Sequence, residues 1–177
     1  MPKQSIPQIT LRYNGLFDFD GMYAAIIDWA KNYGFKWHEK DYKHKVPSSA
    51  GAEQELTWML EKNVTEYLKF DLIFTVHIWD LTEVKVETGG QPRNLSNARM
   101  YIVIKGFVTF NWQGIGDKNG KLTRWLGKKY FQLTMKNKSE YIDQLYYRAW
   151  NLHALMKKYF DMQSKKYTYE GYLGENR

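Results

Sequence analysis

The 177-residue chain contains no cysteine. Disulfides, thiolate metal sites and thiol nucleophiles are therefore excluded, while the redox compartment stays open. Long hydrophobic runs are missing as well. No apolar stretch approaches the ~20 residues that cross a bilayer. The start, Met1-Pro2-Lys3-Gln4-Ser5-Ile6-Pro7, has no apolar run of the signal-peptide kind. The expectation is a soluble chain of the cytoplasm or of a virion, not exported by a signal peptide and with no membrane partner. On that expectation Asn63-Val64-Thr65, Asn94-Leu95-Ser96 and Asn137-Lys138-Ser139 match the glycosylation pattern by chance. Proline occurs only 4 times, and no long linker or internal repeat interrupts the chain.

Catalytic signatures are equally sparse. There is no Gly-x-x-x-x-Gly-Lys-Ser/Thr loop and no Gly-x-Ser-x-Gly elbow. Gly114-Ile115-Gly116 begins a dinucleotide-type glycine pattern, but Asn119 holds the third glycine's place and Gly120 comes one residue late. The 4 histidines are His38, His44, His77 and His153. His38 and His44 share one side of an extended edge strand, with Glu39 and Asp41 on the other. The His-x-x-x-His spacing of a zinc site is absent, so solvated edge histidines are expected. Glu66, Asp71 and Asp80 lie near the clearest strand pattern, and Asp18, Asp20 and Asp28 belong to the first helix. Nothing in their spacing forms the cleft that paired acid/base chemistry needs. These readings point away from an enzyme and call for no cofactor, no metal and no small-molecule substrate.

Rings are abundant: 17% of the residues are aromatic, with 7 Trp, 14 Tyr and 9 Phe. One domain of this size cannot hide them all, so some belong to contact surfaces. Charge is split by position. Residues 1–90 carry 10 Lys/Arg against 13 Asp/Glu, and residues 91–177 carry 16 against 6. A basic half on a weakly acidic half suits a polyanion or a head-to-tail contact with another copy. Lys outnumbers Arg 20 to 6, which argues against base-specific readout, because arginine supplies the bidentate contacts.

Periodicity places the elements. Residues 1–15 read as a polar N-terminal arm with a short alternating stretch from Ile9 to Tyr13. A helix follows, capped by Asp18 or Asp20 and ended by Gly34, with Met22, Ile26, Trp29 and Tyr33 on one stripe. Residues 35–46 suit a charged edge strand. Leu56, Trp58 and Leu60 alternate with polar positions. The even positions from Val64 to Ile78 are apolar except Glu66, which is the period of a half-buried antiparallel strand. Asp80-Leu81-Thr82 reads as a turn that returns the chain through Val84 and Val86. Met100, Ile102, Ile104, Val108, Phe110 and Trp112 repeat the pattern, with Gly106 expected at a bulge or bend. Residues 122–135 read as helix or strand, helix being favoured. Asn137 and Glu140 form a capping-box pattern before a long helix to about Met162, whose seam is Ile142, Leu145, Ala149, Leu152, Met156 and Tyr159.

The expected architecture is α+β: an antiparallel sheet of about five strands packed by an N-terminal helix and a long C-terminal helix. The domain organisation is an arm at 1–15, one domain at 16–163 and a tail at 164–177. Lys128, Lys129, Lys136, Lys138, Lys157, Lys158, Lys165 and Lys166 are interleaved with rings and are the candidate contact residues. Tyr167, Tyr169 and Tyr172 join them, since three tyrosines in a tail favour an ordered intersubunit segment. The expected function is a non-enzymatic structural subunit that forms homo-oligomers through its terminal arms, with the layout of small virion or tail components. The alternative is a non-specific nucleic-acid binder using the basic C-terminal half.

Overall fold

The computed structural model of the protein describes residues 3–48, 51–88, 91–114, 125, 129 and 138–160. Its strands are β1 (Lys3–Ser5), β2 (Ile9–Phe17), β3 (Lys36–Ser48), β4 (Gly51–Asn63), β5 (Leu68–Thr88) and β6 (Gln91–Phe110). Its helices are α1 (Phe19–Asn32) and α2 (Lys138–Tyr159). All strand pairs are antiparallel, in the order β1-β6-β5-β4-β3, with β2 also on β6. Among the described residues the sheet thus has six strands, against about five expected.

The sixth comes from the presumed arm. β1 and β2 follow one another along the same edge of β6. Their registers differ by one residue across the Ile6–Gln8 break, since Ser5 pairs with Phe107 and Ile9 with Ile104. A one-residue slip exchanges faces, so Ile6 and Ile9, three apart, are both buried. Pro7 sits in the break, where no ladder donor is needed.

Alternation decides the faces. The even residues of β5 from Leu68 to Ile78 are fully buried, and those of β6 from Ala98 to Phe110 join them, as do Leu56, Trp58 and Leu60 of β4. Each large apolar side chain so buried contributes about 1.5–3 kcal/mol. Met22, Ile26, Trp29 and Ala30 of α1 join this cluster, with Leu145, Ala149, Leu152 and Met156 of α2 and Phe160 just beyond it. Asp18 caps α1 by accepting from the Gly21 amide at 2.8 Å, and Gly34 at φ 71° ends it. The two helices touch each other; α2 also meets β6 and β2, and α1 meets β3. The odd residues of β5 and β6 point the other way. Ile73, His77, Trp79, Tyr101, Val103 and Phe107 are only half-buried and no described helix joins them in the core, so among the described residues this is the open face of the sheet.

Three local expectations are corrected. The chain turns between β4 and β5 at Thr65, whose Oγ1 accepts from the Tyr67 and Leu68 amides, so the strand begins at Leu68 rather than Val64. Asp80-Leu81-Thr82 is no turn. Asp80 takes φ 57° at a register shift between Trp79 and Thr82, and β5 continues to Thr88. Gly106 stays in register opposite Leu72, and its missing side chain is explained by Ile6, whose Cδ1 lies 2.6 Å from where a Cβ would stand. Residues 122–135 and the Asn137 cap lie outside the described residues, save Trp125 and Lys129.

Candidate functional site

The ladder registers line up chemistry across the open face that the sequence keeps far apart. Arg12 pairs with Tyr101, Tyr101 with His77, His77 with Glu55, and Glu55 with Lys43. In the neighbouring row Asn14 pairs with Arg99 and Arg99 with Trp79, while Lys45 pairs with Glu53. Because residues of one face recur every second position, these side chains form a band across all the long strands.

One end of the band is ionic. Glu53 Oε1 receives His77 Nε2 at 2.7 Å and Lys45 Nζ at 2.8 Å. Lys45 also reaches Glu55 at 3.8 Å, and Lys43 Nζ lies 3.7 Å from Glu55. Hydrogen bonds from Lys45 and His77 hold the Glu53 carboxyl below its usual range, and the Glu53 bond raises the Lys45 ammonium above its own. Glu53, Glu55 and His77 have the donor types of a divalent-cation site, with ligand atoms within 4.8 Å of one another. Lysine ammonium groups already supply the positive charge there. The cluster is a network of ion pairs between β3 and β4 that a His77–Glu53 hydrogen bond extends to β5.

The other end is aromatic and cationic. The His77 and Trp79 rings stack with centroids 3.8 Å apart. The Arg99 guanidinium lies 6.0 Å from the Trp79 ring centroid, and that of Arg12 lies 5.1 Å from the Tyr101 centroid. Arg99 Nε donates to Asp80 Oδ2 at 2.6 Å. Arg12 has no carboxylate partner among the described residues. Between these groups opens a cavity of about 440 Å³ lined by Arg12, Tyr13, Trp79, Arg99 and Tyr101. Two cations and two ring faces around an open cavity suit a planar anion.

The residues singled out in the sequence are placed as follows. His38 and His44 are both exposed on β3, but the register shift between Glu39 and Asp41 puts them on opposite faces rather than on one side, and among the described histidines only His77 joins a cluster. His153 is buried in α2 in a T-shaped contact with Trp150, and burial followed by the nearby Lys157 pushes its pKa down. Asp71 is buried and accepts from Thr109 Oγ1 at 3.0 Å. Asp18 caps α1 and Asp80 holds Arg99, so both carboxylates have structural partners. Lys129 is exposed with its Nζ 4.6 Å from the Trp125 ring centroid. Lys157 and Lys158 occupy the last turn of α2, where cations complement the helix dipole. Lys138 opens the same helix. Lys128, Lys136, Lys165, Lys166, Tyr167, Tyr169 and Tyr172 lie outside the described residues. Sequence reasoning missed Arg12, Glu53, Glu55, Trp79, Arg99 and Tyr101. One signal was available: Trp79 and Tyr101 are large rings on the polar parity of otherwise well-patterned strands. No protein-family model matches this chain, and no curated protein sequence matches it significantly.

Proposed function

We propose that this chain is a non-enzymatic assembly subunit that joins further copies of itself, as the structural components of virions and tails do. The observation that carries the reading is the free end of the β5–β6 hairpin. β4 last meets β5 at Ala52–Leu81, and β2 last meets β6 at Phe17–Ser96. Five further rungs, from Val84–Leu95 to Thr88–Gln91, have no flanking strand among the described residues. At about 3.3 Å per residue they project roughly 16 Å.

A two-stranded ribbon is marginal in water and exposes unpaired backbone on both sides. Elsewhere the sheet blunts its edges. β3 carries exposed lysines and two register shifts, and the opposite edge is interrupted at Pro7. On the ribbon itself Pro92 interrupts the β6 side, whereas Val84 to Thr88 offers an unbroken run. A second copy presenting the same run would add antiparallel strands and close a two-fold contact.

The test is light scattering behind gel filtration over a concentration series. Deleting residues 85–88 and 91–94 would join Val84 to Leu95 through Gly89-Gly90 and keep the strand alternation. The wild type should assemble and the shortened protein should stay monomeric with an unchanged circular dichroism spectrum. A monomeric wild type, or a shortened protein that assembles equally, would overturn the reading.

A further inference from the structure

We infer that the open-face cavity between Arg12, Tyr101, Trp79 and Arg99 binds a nucleotide unit, with an aromatic base on the rings and its phosphate between the guanidinium groups. The inference is independent of the assembly reading, because all four residues lie on the flanked part of the sheet, outside the projecting ribbon.

The charge arrangement comes first. Arg12 pairs with Tyr101, and Arg99 stands two residues before Tyr101 on the same strand. The two arginines are therefore diagonal neighbours on one face, about 7–8 Å apart at the backbone. Like charges this close repel each other. Asp80 answers one of them through Arg99 Nε, and the Arg12 guanidinium has no anionic partner among the described residues. One positive charge is left over, and it borders a cavity of about 440 Å³ that would admit a base with its sugar and phosphate.

The rings come second. Trp79 and Tyr101 are half-buried on the face that no other described element covers, and they line the same cavity as the arginines. His77 stacks on Trp79 and is itself tied to Glu53, so the indole is backed by a fixed partner. A ring held from behind loses little entropy when a base stacks on it, and arginine planes stack on bases as well. At the ionic end of the band Lys43 and Lys45 already answer Glu53 and Glu55, so that end offers an anion no net positive charge, whereas Arg12 does.

Bases and phosphates occur together in free nucleotides and in unpaired nucleic-acid strands, and the experiment separates the two. Fluorescence anisotropy of a labelled thymidine strand of about 12 nucleotides is followed at about 50 mM and about 200 mM salt. AMP serves as competitor, and a duplex of the same length is titrated in parallel. The wild type should bind the single strand more weakly at the higher salt. Arg12→Gln and Trp79→Leu should each lose about tenfold in affinity while retaining the wild-type circular dichroism spectrum. The shortened-hairpin protein should bind as the wild type does. Displacement by AMP would make the mononucleotide sufficient, and resistance to AMP would require the strand. No binding at low salt would overturn the inference. So would equal affinity for the duplex, or an Arg12→Gln protein that binds normally while Lys158→Gln does not.

Discussion

Trp29 Nε1 donates to Asn151 Oδ1 at 2.7 Å, joining the middle of α2 to the last turn of α1. Residues 122 positions apart meet in the only side-chain hydrogen bond between the two helices among the described residues. Trp29 is 6% exposed, so its indole donor has little access to water. Asn151→Leu would leave that donor unpaired, which costs about 1–3 kcal/mol. Urea unfolding should show the unfolding free energy falling by that amount, read as a lower midpoint with the slope unchanged. A midpoint within error of the wild type would mean that the bond contributes nothing net.

His153 makes stability depend on pH. Burial, and secondarily the Lys157 charge, lowers its folded-state pKa below the ordinary 6.5. Its ring meets Trp150 in a T-shaped contact, and the nearby Lys157 charge disfavours the imidazolium. Above pH 6.5 both folded and unfolded chains hold it neutral, and it has no effect on the slope. Below 6.5 the unfolded chain takes up the proton first, so stability falls as the pH drops, until the folded imidazole titrates too. His153→Leu should therefore flatten the decline of the urea midpoint as the pH falls below about 6.5. An unchanged decline would assign it to the carboxylates instead.

The sheet was largely legible because its signal is local. The even residues of β5 are apolar wherever they touch the helices, and a strand buried on one face has no other way to be written. The α1 ends were legible too, since Asp18 and Gly34 act within one turn of the helix. The late start of β5 turns on a local bond, from the Leu68 amide to Thr65 Oγ1, but the other misreadings turn on partners distant in sequence. Asp80-Leu81-Thr82 has turn chemistry, yet the chain continues because residues 82–88 find β6 as a ladder partner. Ile9 and Leu11 looked like part of an arm because their partners, Ile104 and Ile102, lie more than ninety positions away. The candidate site was illegible for the same reason. Only the β2–β6 and β5–β6 registers bring Arg12 beside Tyr101 and Trp79 beside Arg99.

Gly106 reports on how tightly β1 is sewn to the core. Its backbone is ordinary strand, and the Ile6 amide donates to its carbonyl at 2.9 Å. An added Cβ would stand 2.6 Å from Ile6 Cδ1, 2.8 Å from Ile6 Cγ1 and 3.1 Å from Leu72 Cδ2. Gly106→Ala should cost about 1–3 kcal/mol through overpacking. Ile6→Ala, which removes both of the nearest atoms, should cost about 2–5 kcal/mol alone by opening a void. In the double variant the new methyl fills part of that void, so the two losses should add to less than their sum. Strict additivity in a double-mutant cycle would place the clash elsewhere.

Gly51 carries the geometry that aims Arg99. It takes φ 124°, and a Cβ there would stand 2.6 Å from the Asp80 carbonyl carbon and 2.9 Å from its Cα. Backbone atoms cannot rotate aside as a side-chain tip can. Gly51→Ala must therefore shift the bulge at which Asp80 sits with φ 57°. A side chain at Gly51 would be held in a strained backbone conformation, which costs on the order of 1–3 kcal/mol. Asp80 holds Arg99 at 2.6 Å, so moving the bulge moves the guanidinium that borders the cavity. The expected outcome is a loss of stability in that range by urea unfolding, together with a single-strand affinity weakened to a similar degree as in Arg99→Gln. Arg99→Gln itself should leave stability nearly unchanged, because its ion pair is more than half exposed on the arginine side. A Gly51→Ala protein as stable as the wild type would show that the bulge is not fixed by this contact.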